Sequence, residues 1–167
     1  MKRFAVFAAV LLTISIPCLA TTVERLSLDE MVRKAQSIVH GRVRAAHPHW
    51  SADGKLILTT YTIDVDETLK GRAGKSIELT TIGGRIGDLT VFAAGMPSFA
   101  VGEESIVFIE KEGPVSSIVG LNQGKFAVKN GEVANTVSDL AFPDGRPGVP
   151  LRMRLQDFKR QIENRLR

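Results

Sequence analysis

Three histidines, His40, His47 and His49, are all the imidazoles in the chain. His47-Pro48-His49, with Asp53 close behind, could set two ring nitrogens and a carboxylate around a divalent metal ion. Such a centre would support a metal-dependent hydrolase built on His40, His47 and His49. A metal site, however, announces itself by ligands at fixed spacing, and neither an HExxH nor a CxxC pair is present. The spacing favours a polar loop, with no metal assigned.

Gly83-Gly84-Arg85-Ile86-Gly87 invites a phosphate-loop reading, but it lacks both the GxGxxG spacing and the lysine of a P-loop. A flexible loop between strands accounts for it better. Asp64, Asp66 and Glu67 offer paired carboxylates. Asp64 and Asp66 nevertheless fall on the polar face of an alternating segment, where acidic residues stay hydrated. No serine occupies a nucleophile elbow. No catalytic residue and no cofactor follow from these patterns.

Charge narrows the classes further. The chain of 167 residues carries 22 basic and 18 acidic side chains. That balance is far from a nucleic-acid footprint, and Tyr61 is the only aromatic on the longest strand-like segment. The basic excess gathers at the end, where Arg146, Arg152, Arg154, Lys159, Arg160, Arg165 and Arg167 face only Asp157 and Glu163. A solvated helix face on an acidic body explains that tail, with an anionic surface contact as the alternative.

Lys2 and Arg3, the apolar run Phe4 to Pro17 and the Cys18-Leu19-Ala20 site have the form of a secretory signal, residues 1–20. The run is too short for a stable membrane span. Cleavage would leave Thr21 first and remove Cys18, so the mature chain would hold no thiol and no disulfide. A secreted or periplasmic location follows, with no membrane span after signal removal.

The elements that must position any site come next. Ser27-Leu28-Asp29-Glu30 reads as a capping box opening a short helix. From Ser37 to Ala45 the period becomes two, and His47 to Lys55 reads as a connection. Leu56 to Leu69 is a strand of about 45 Å at ~3.3 Å per residue, long enough to require curvature. Strands are further expected at Lys75 to Ile82, Glu104 to Lys111 (buried on both sides), Ser116 to Leu121, Gly124 to Val128 and Glu132 to Thr136. Asn130-Gly131 joins the last two as a hairpin. Residues 139–150, with three prolines and two glycines, read as a linker, and 151–167 as an amphipathic helix with Leu155, Phe158, Ile162 and Leu166 on one face. The expected fold is mainly β: a small Greek-key, OB-like barrel over 21–138, with a β-sandwich as the alternative.

Ala35-Gln36-Ser37-Ile38-Val39-His40-Gly41-Arg42-Val43, then Tyr61-Thr62-Ile63-Asp64-Val65 and Leu69-Lys70-Gly71, resemble the opening of netrin-like OB domains. The tissue inhibitors of metalloproteinases belong to that group. The whole chain also resembles short exported bacterial proteins of unassigned function. The resemblance implies the fold. The inhibitors' zinc-binding N-terminal cysteine has no counterpart here, and Gln36 stands where the family carries an acidic residue.

The function expected is that of an exported, non-enzymatic binding module whose partner is another exported protein, a protease being one candidate. Its contact residues are expected in the Gly83 to Phe99 loop: Arg85, Ile86, Met96, Pro97 and Phe99, with His47 to Lys55 as a second candidate loop. Leu89, Val91 and Phe92 read either as contact residues or as one more barrel strand. The alternatives are the histidine-based hydrolase and a structural envelope protein.

Overall fold

The computed structural model describes residues 22–112 and 115–167. The expected signal segment, with Cys18, lies outside the described residues. Ser27 caps helix α1 (Leu28–Lys34) as the sequence predicts: its hydroxyl accepts the Glu30 amide at 3.3 Å while the Glu30 carboxylate accepts the Ser27 amide at 2.8 Å. The Ser27 amide first, and then the Ser27 hydroxyl donating to the same carboxylate at 2.7 Å, hold the Glu30 carboxyl below its ordinary range.

Two 14-residue strands follow, β1 (Ser37–Trp50) and β2 (Ile57–Lys70), paired antiparallel along their whole length. Then come β3 (Ser76–Ile82), the short hairpin β4 (Gly84–Ile86) and β5 (Leu89–Val91), and β6 (Glu104–Glu112). After β7 (Val115–Ile118) a 3-10 turn at Leu121–Gly124 leads into β8 (Lys125–Lys129) and β9 (Glu132–Asn135). Asn130 and Gly131 both take positive φ between these two strands, as the Asn-Gly signal requires. Strand β10 (Arg152–Arg154) leads directly into helix α2 (Leu155–Leu166).

The main sheet runs β10-β9-β8-β6-β1-β2-β3, with β7 pairing the second half of β6. Three register shifts in β1, at Ile38/Val39, His40/Gly41 and Val43/Ala45, bend it sharply. At the middle bulge β2 passes so close that a Cβ on Gly41 would overlap the Asp64 carbonyl, so only glycine fits. The bends curl the sheet until β3 approaches β7, yet these strands do not pair and the sheet is not closed. The expected mainly β fold with a short N-terminal and a C-terminal helix is present, and its eight-stranded sheet is curled but not closed: β3 ends the hydrogen-bonded order, and among the described residues β7 pairs with β6.

Curling gives the sheet two apolar faces. Val39, Val43, Tyr61, Ile63, Leu79, Val107, Ile109 and Ile118 fill the inside of the curl. On the other face Ile38, Ile106, Phe108, Phe126 and Val133 meet Met31 and Val32 of α1 and Phe158 and Ile162 of α2. Phe158 lies 4.5 Å from Phe126 and 6.1 Å from Phe108 between ring centroids. Strand β6 is therefore buried on both sides, as its nearly continuous apolar run predicts.

Two expectations need correction here. The segment His47 to Lys55 is not all connection, because β1 continues to Trp50. Beyond Arg42, β1 has no β6 partner, so Pro48 sits on a free edge where its missing N–H costs no ladder bond. The first part of 139–150 is packed rather than loose: Leu140 and Phe142 join Val137 in a third apolar cluster against Val23, while 143–147 and 149–150 are exposed. Arg25 stacks 3.9 Å from the Phe142 ring centroid and pairs with Asp144 at 3.2 Å. The buried side chains of Gln123 and Asn135 fasten both ends of the chain. Gln123 accepts the Leu26 amide at 2.9 Å, and Asn135 accepts the Leu151 amide at 2.8 Å.

Candidate functional site

Glycines set the geometry of the loop that follows β3. Gly83 and Gly84 have φ of +117° and +136°, angles that β-carbon residues rarely adopt. The Gly83 amide donates to the Ile57 carbonyl at 2.8 Å, and the Thr59 hydroxyl donates to the Gly83 carbonyl at 2.6 Å. A Cβ on Gly84 would overlap that hydroxyl. The Gly-Gly pair is therefore a tight exit from β3 that folds the β4–β5 hairpin against Pro48, Ile57 and Thr59. It presents no ring of free amides for a phosphate.

At the same end, β1 and β2 meet in a turn ordered by Asp53. Its carboxylate accepts the Ser51 hydroxyl at 2.6 Å and the Lys55 amide at 3.3 Å, while the Leu56 amide donates to the Ser51 oxygen at 3.0 Å. The Ser51 hydroxyl is the main cause holding the Asp53 carboxyl below its ordinary range, with the Lys55 amide second. Trp50 and Leu56 flank this turn, 45% and 44% exposed.

The β4–β5 hairpin adds Leu89, Val91 and Phe92, and Phe92 is 78% exposed. Five large apolar side chains thus stand on two adjoining hairpins that share Ile57 as their anchor. Isolated exposed apolar residues are ordinary, whereas several on ordered backbone at one end of a molecule form an apolar patch.

Of the five contact residues expected from the sequence, Arg85 is exposed on β4, its guanidinium donating to the Gly87 carbonyl at 2.9 Å, and Ile86 is half-buried. Met96 is half-buried in a small cleft of about 210 Å³ beside Phe92 and Lys125. Pro97 and Phe99 are buried and do not face outward. Phe99 packs edge-on against Tyr61, centroids 4.9 Å apart, beneath the Lys125 ammonium at 4.5 Å. Lys125 is held in turn by Glu103 at 2.8 Å. Phe99 therefore plugs the open end of the inner core. The residues exposed in their place are Leu89, Val91 and Phe92; Leu89 and Val91 belong to strand β5 in a separate two-stranded sheet, and Phe92 follows it. Alternation could have flagged Leu89 and Val91, but nothing in the sequence separates an exposed Phe92 from a buried Phe99.

Asp139 fastens the rest of this loop. Its Oδ2 accepts the Gly95 amide at 3.1 Å and the Asn122 side-chain amide at 3.2 Å. Its Oδ1 is buried with no partner among the described residues.

The histidines do not converge. His40 is buried, its Nε2 2.8 Å from Glu104 Oε1, and the other Glu104 oxygen accepts from Arg42 at 2.8 Å. His47 and His49 lie exposed farther along β1, with His49 Nε2 3.1 Å from the Thr60 hydroxyl. Among the described residues, no three His, Cys, Asp or Glu side chains stand close enough to hold a metal ion.

No protein-family profile, no curated protein and no solved structure matches this chain.

Proposed function

We propose that this chain is an exported, non-enzymatic binding module of the netrin-like OB type, and that it engages another exported protein through the end formed by the β1–β2 turn and the β4–β5 hairpin. The observation that carries this reading is the group Trp50, Leu56, Leu89, Val91 and Phe92, held outward on backbone locked by Gly83, Gly84 and Asp53. A rigid platform lowers the ordering cost of binding, and large apolar side chains are the usual anchors of an interface. Export rests on the residue pattern from Lys2 to Ala20. Among the described residues no helix is long and apolar enough to cross a membrane.

The chemistry sought in the partner is an apolar pocket or groove that accepts Trp50 and Phe92, and a protease with such a surface is the first candidate to try. The test is affinity capture of exported proteins by residues 22–167, alongside a Leu89→Ser/Phe92→Ser variant of the same melting temperature. A captured protein that is identified, purified and shown to bind wild type but not the variant supports the reading. Equal binding by both places the interface elsewhere.

A further inference from the structure

Where β3 and β7 approach without pairing, the wall of the sheet opens into a cavity of about 520 Å³, at the end of the molecule opposite the Trp50 turn. Its floor belongs to the inner core: Leu79 and Ile109 are buried, and Ile77 packs half-exposed against them. At its rim stand Arg72 and Lys111, both exposed and with no ion-pair or hydrogen-bond partner among the described residues. One carboxylate, Glu78, shares the rim and makes no ion pair with either cation. Most cations elsewhere on the surface have a partner, as Arg25, Arg42, Arg44, Lys125 and Lys159 do.

We propose that this open seam is a ligand site for a small amphipathic anion, an apolar chain or ring bearing a carboxylate or phosphate. The size falls within the range of small-molecule sites, which combine an apolar floor with a few placed polar groups. The apolar part lies over Ile77, the partly exposed member of the floor, above the buried Leu79 and Ile109, and removes that exposed apolar surface from water. Its head group pairs with Arg72 and Lys111. The guanidinium can take a carboxylate or phosphate through two parallel hydrogen bonds, and the ammonium adds charge. Glu78 opposes a second negative charge at the rim, which favours a single head group over a polyanion. This site is separate from the apolar end and independent of the protein-partner reading.

Decanoate and decyl phosphate, kept below their micellar concentrations, distinguish the two head groups. Decanol, acetate and inorganic phosphate are the controls. The expected result is one bound decanoate or decyl phosphate per chain by calorimetry, with the methyl NMR signals of Ile77, Leu79 and Ile109 shifted. Arg72→Ala/Lys111→Ala should weaken binding by about tenfold or more, because both charge-assisted contacts are lost. An Arg33→Ala variant, which alters a surface cation outside the cavity, should bind as wild type does. The proposal is overturned if decanol binds as tightly as decanoate, if inorganic phosphate or acetate competes equally, or if the double variant retains affinity. Methyl shifts confined to Leu56, Leu89 and Val91 would move the apolar ligand to the other end and also overturn it.

Discussion

The Lys70 ammonium donates to the Val32 carbonyl at 2.6 Å, and to the Ala35 carbonyl at 2.5 Å, closing the C-terminal end of α1 from across the sheet. The last carbonyls of a helix have no intrahelical partner and carry negative dipole charge, so a half-buried cation is the partner they favour. Gly71 follows because its neighbours are the Gln36 carbonyl and Ser37, with no room for a β-carbon and φ at +75°. The Lys-Gly pair that ends β2 thus joins helix, first strand and second strand. Lys70→Met should lower stability by about 1–2 kcal/mol, since it leaves two carbonyls without a charged donor. Urea unfolding measures this, and a change under about 0.3 kcal/mol would show that water replaces the ammonium.

The outer core makes a sharper claim. Phe158 is fully buried among Phe108 and Phe126, whereas the Arg160 side chain is 71% exposed and pairs only with Asp157 on its own helix. Phe158→Ala should destabilise by about 3–5 kcal/mol, while Arg160→Ala should change stability by a few tenths. Equal and small effects in denaturant unfolding would mean that α2 does not hold the sheet in solution.

Much of this frame was legible in the sequence, and the reasons are local. The capping box at Ser27, the two-sided burial of β6, the Asn130-Gly131 turn and the apolar face of α2 each depend on a few neighbouring residues. What could not be read depends on distant pairing. Pro48 argues for a loop unless one knows that the pairing of β1 with β6 stops at Arg42 and leaves that edge free. Leu140 and Phe142 sit among prolines and glycines, and only the return of Val23 and Arg25 from the other end of the chain makes them core. The open seam is likewise a consequence of how far three bulges bend β1, which no alternation pattern encodes. Within the Gly83 to Phe99 loop, the residues expected to face outward and those that do were partly exchanged. Phe99 is buried because Tyr61 and Lys125, from other strands, enclose it.

Gly84 tests whether the Gly-Gly pair is structural. Gly84→Ala adds a β-carbon at φ +136° against the Thr59 hydroxyl, so strain and overlap act together. Gly131→Ala also sits at positive φ, +76°, but meets nothing within 4 Å. The first substitution should cost about 2 kcal/mol or more and shift the fluorescence of Trp50, the single tryptophan. The second should cost about 1 kcal/mol and leave that emission unchanged. Identical spectra for both variants would detach the hairpin from the turn.

Acid should loosen the Trp50 turn. Folding lowers the Asp53 pKa below its ordinary 3.8, chiefly through the Ser51 hydroxyl. The ionised carboxylate therefore stabilises the turn fully above that ordinary value, and the contribution is lost as pH falls through the lowered folded one. Trp50 emission should shift toward that of a hydrated indole over this acidic range, with Asp53→Asn already shifted at neutral pH. A wild-type titration that superimposes on that of Asp53→Asn would remove Asp53 from the ordering of the turn.

Phe92 and Phe99 stand seven positions apart in one loop, and the structure gives them opposite work. Phe99, 7% exposed, plugs the inner core against Tyr61, whereas Phe92, 78% exposed, contributes almost nothing to burial. Phe99→Ala should lower stability by about 3–5 kcal/mol through lost burial and the cavity left under Lys125. Phe92→Ser should stay within about 0.5 kcal/mol of wild type, because the side chain has little packing to lose. The same change should reduce binding of a hydrophobic dye to the native protein and weaken the proposed partner complex, since Phe92 is the largest apolar surface at that end. Thermal unfolding and dye titration on the two variants separate scaffold from contact. A strongly destabilised Phe92→Ser would mean that the β4–β5 hairpin folds back as core, and the contact surface would then shrink to Trp50 and Leu56.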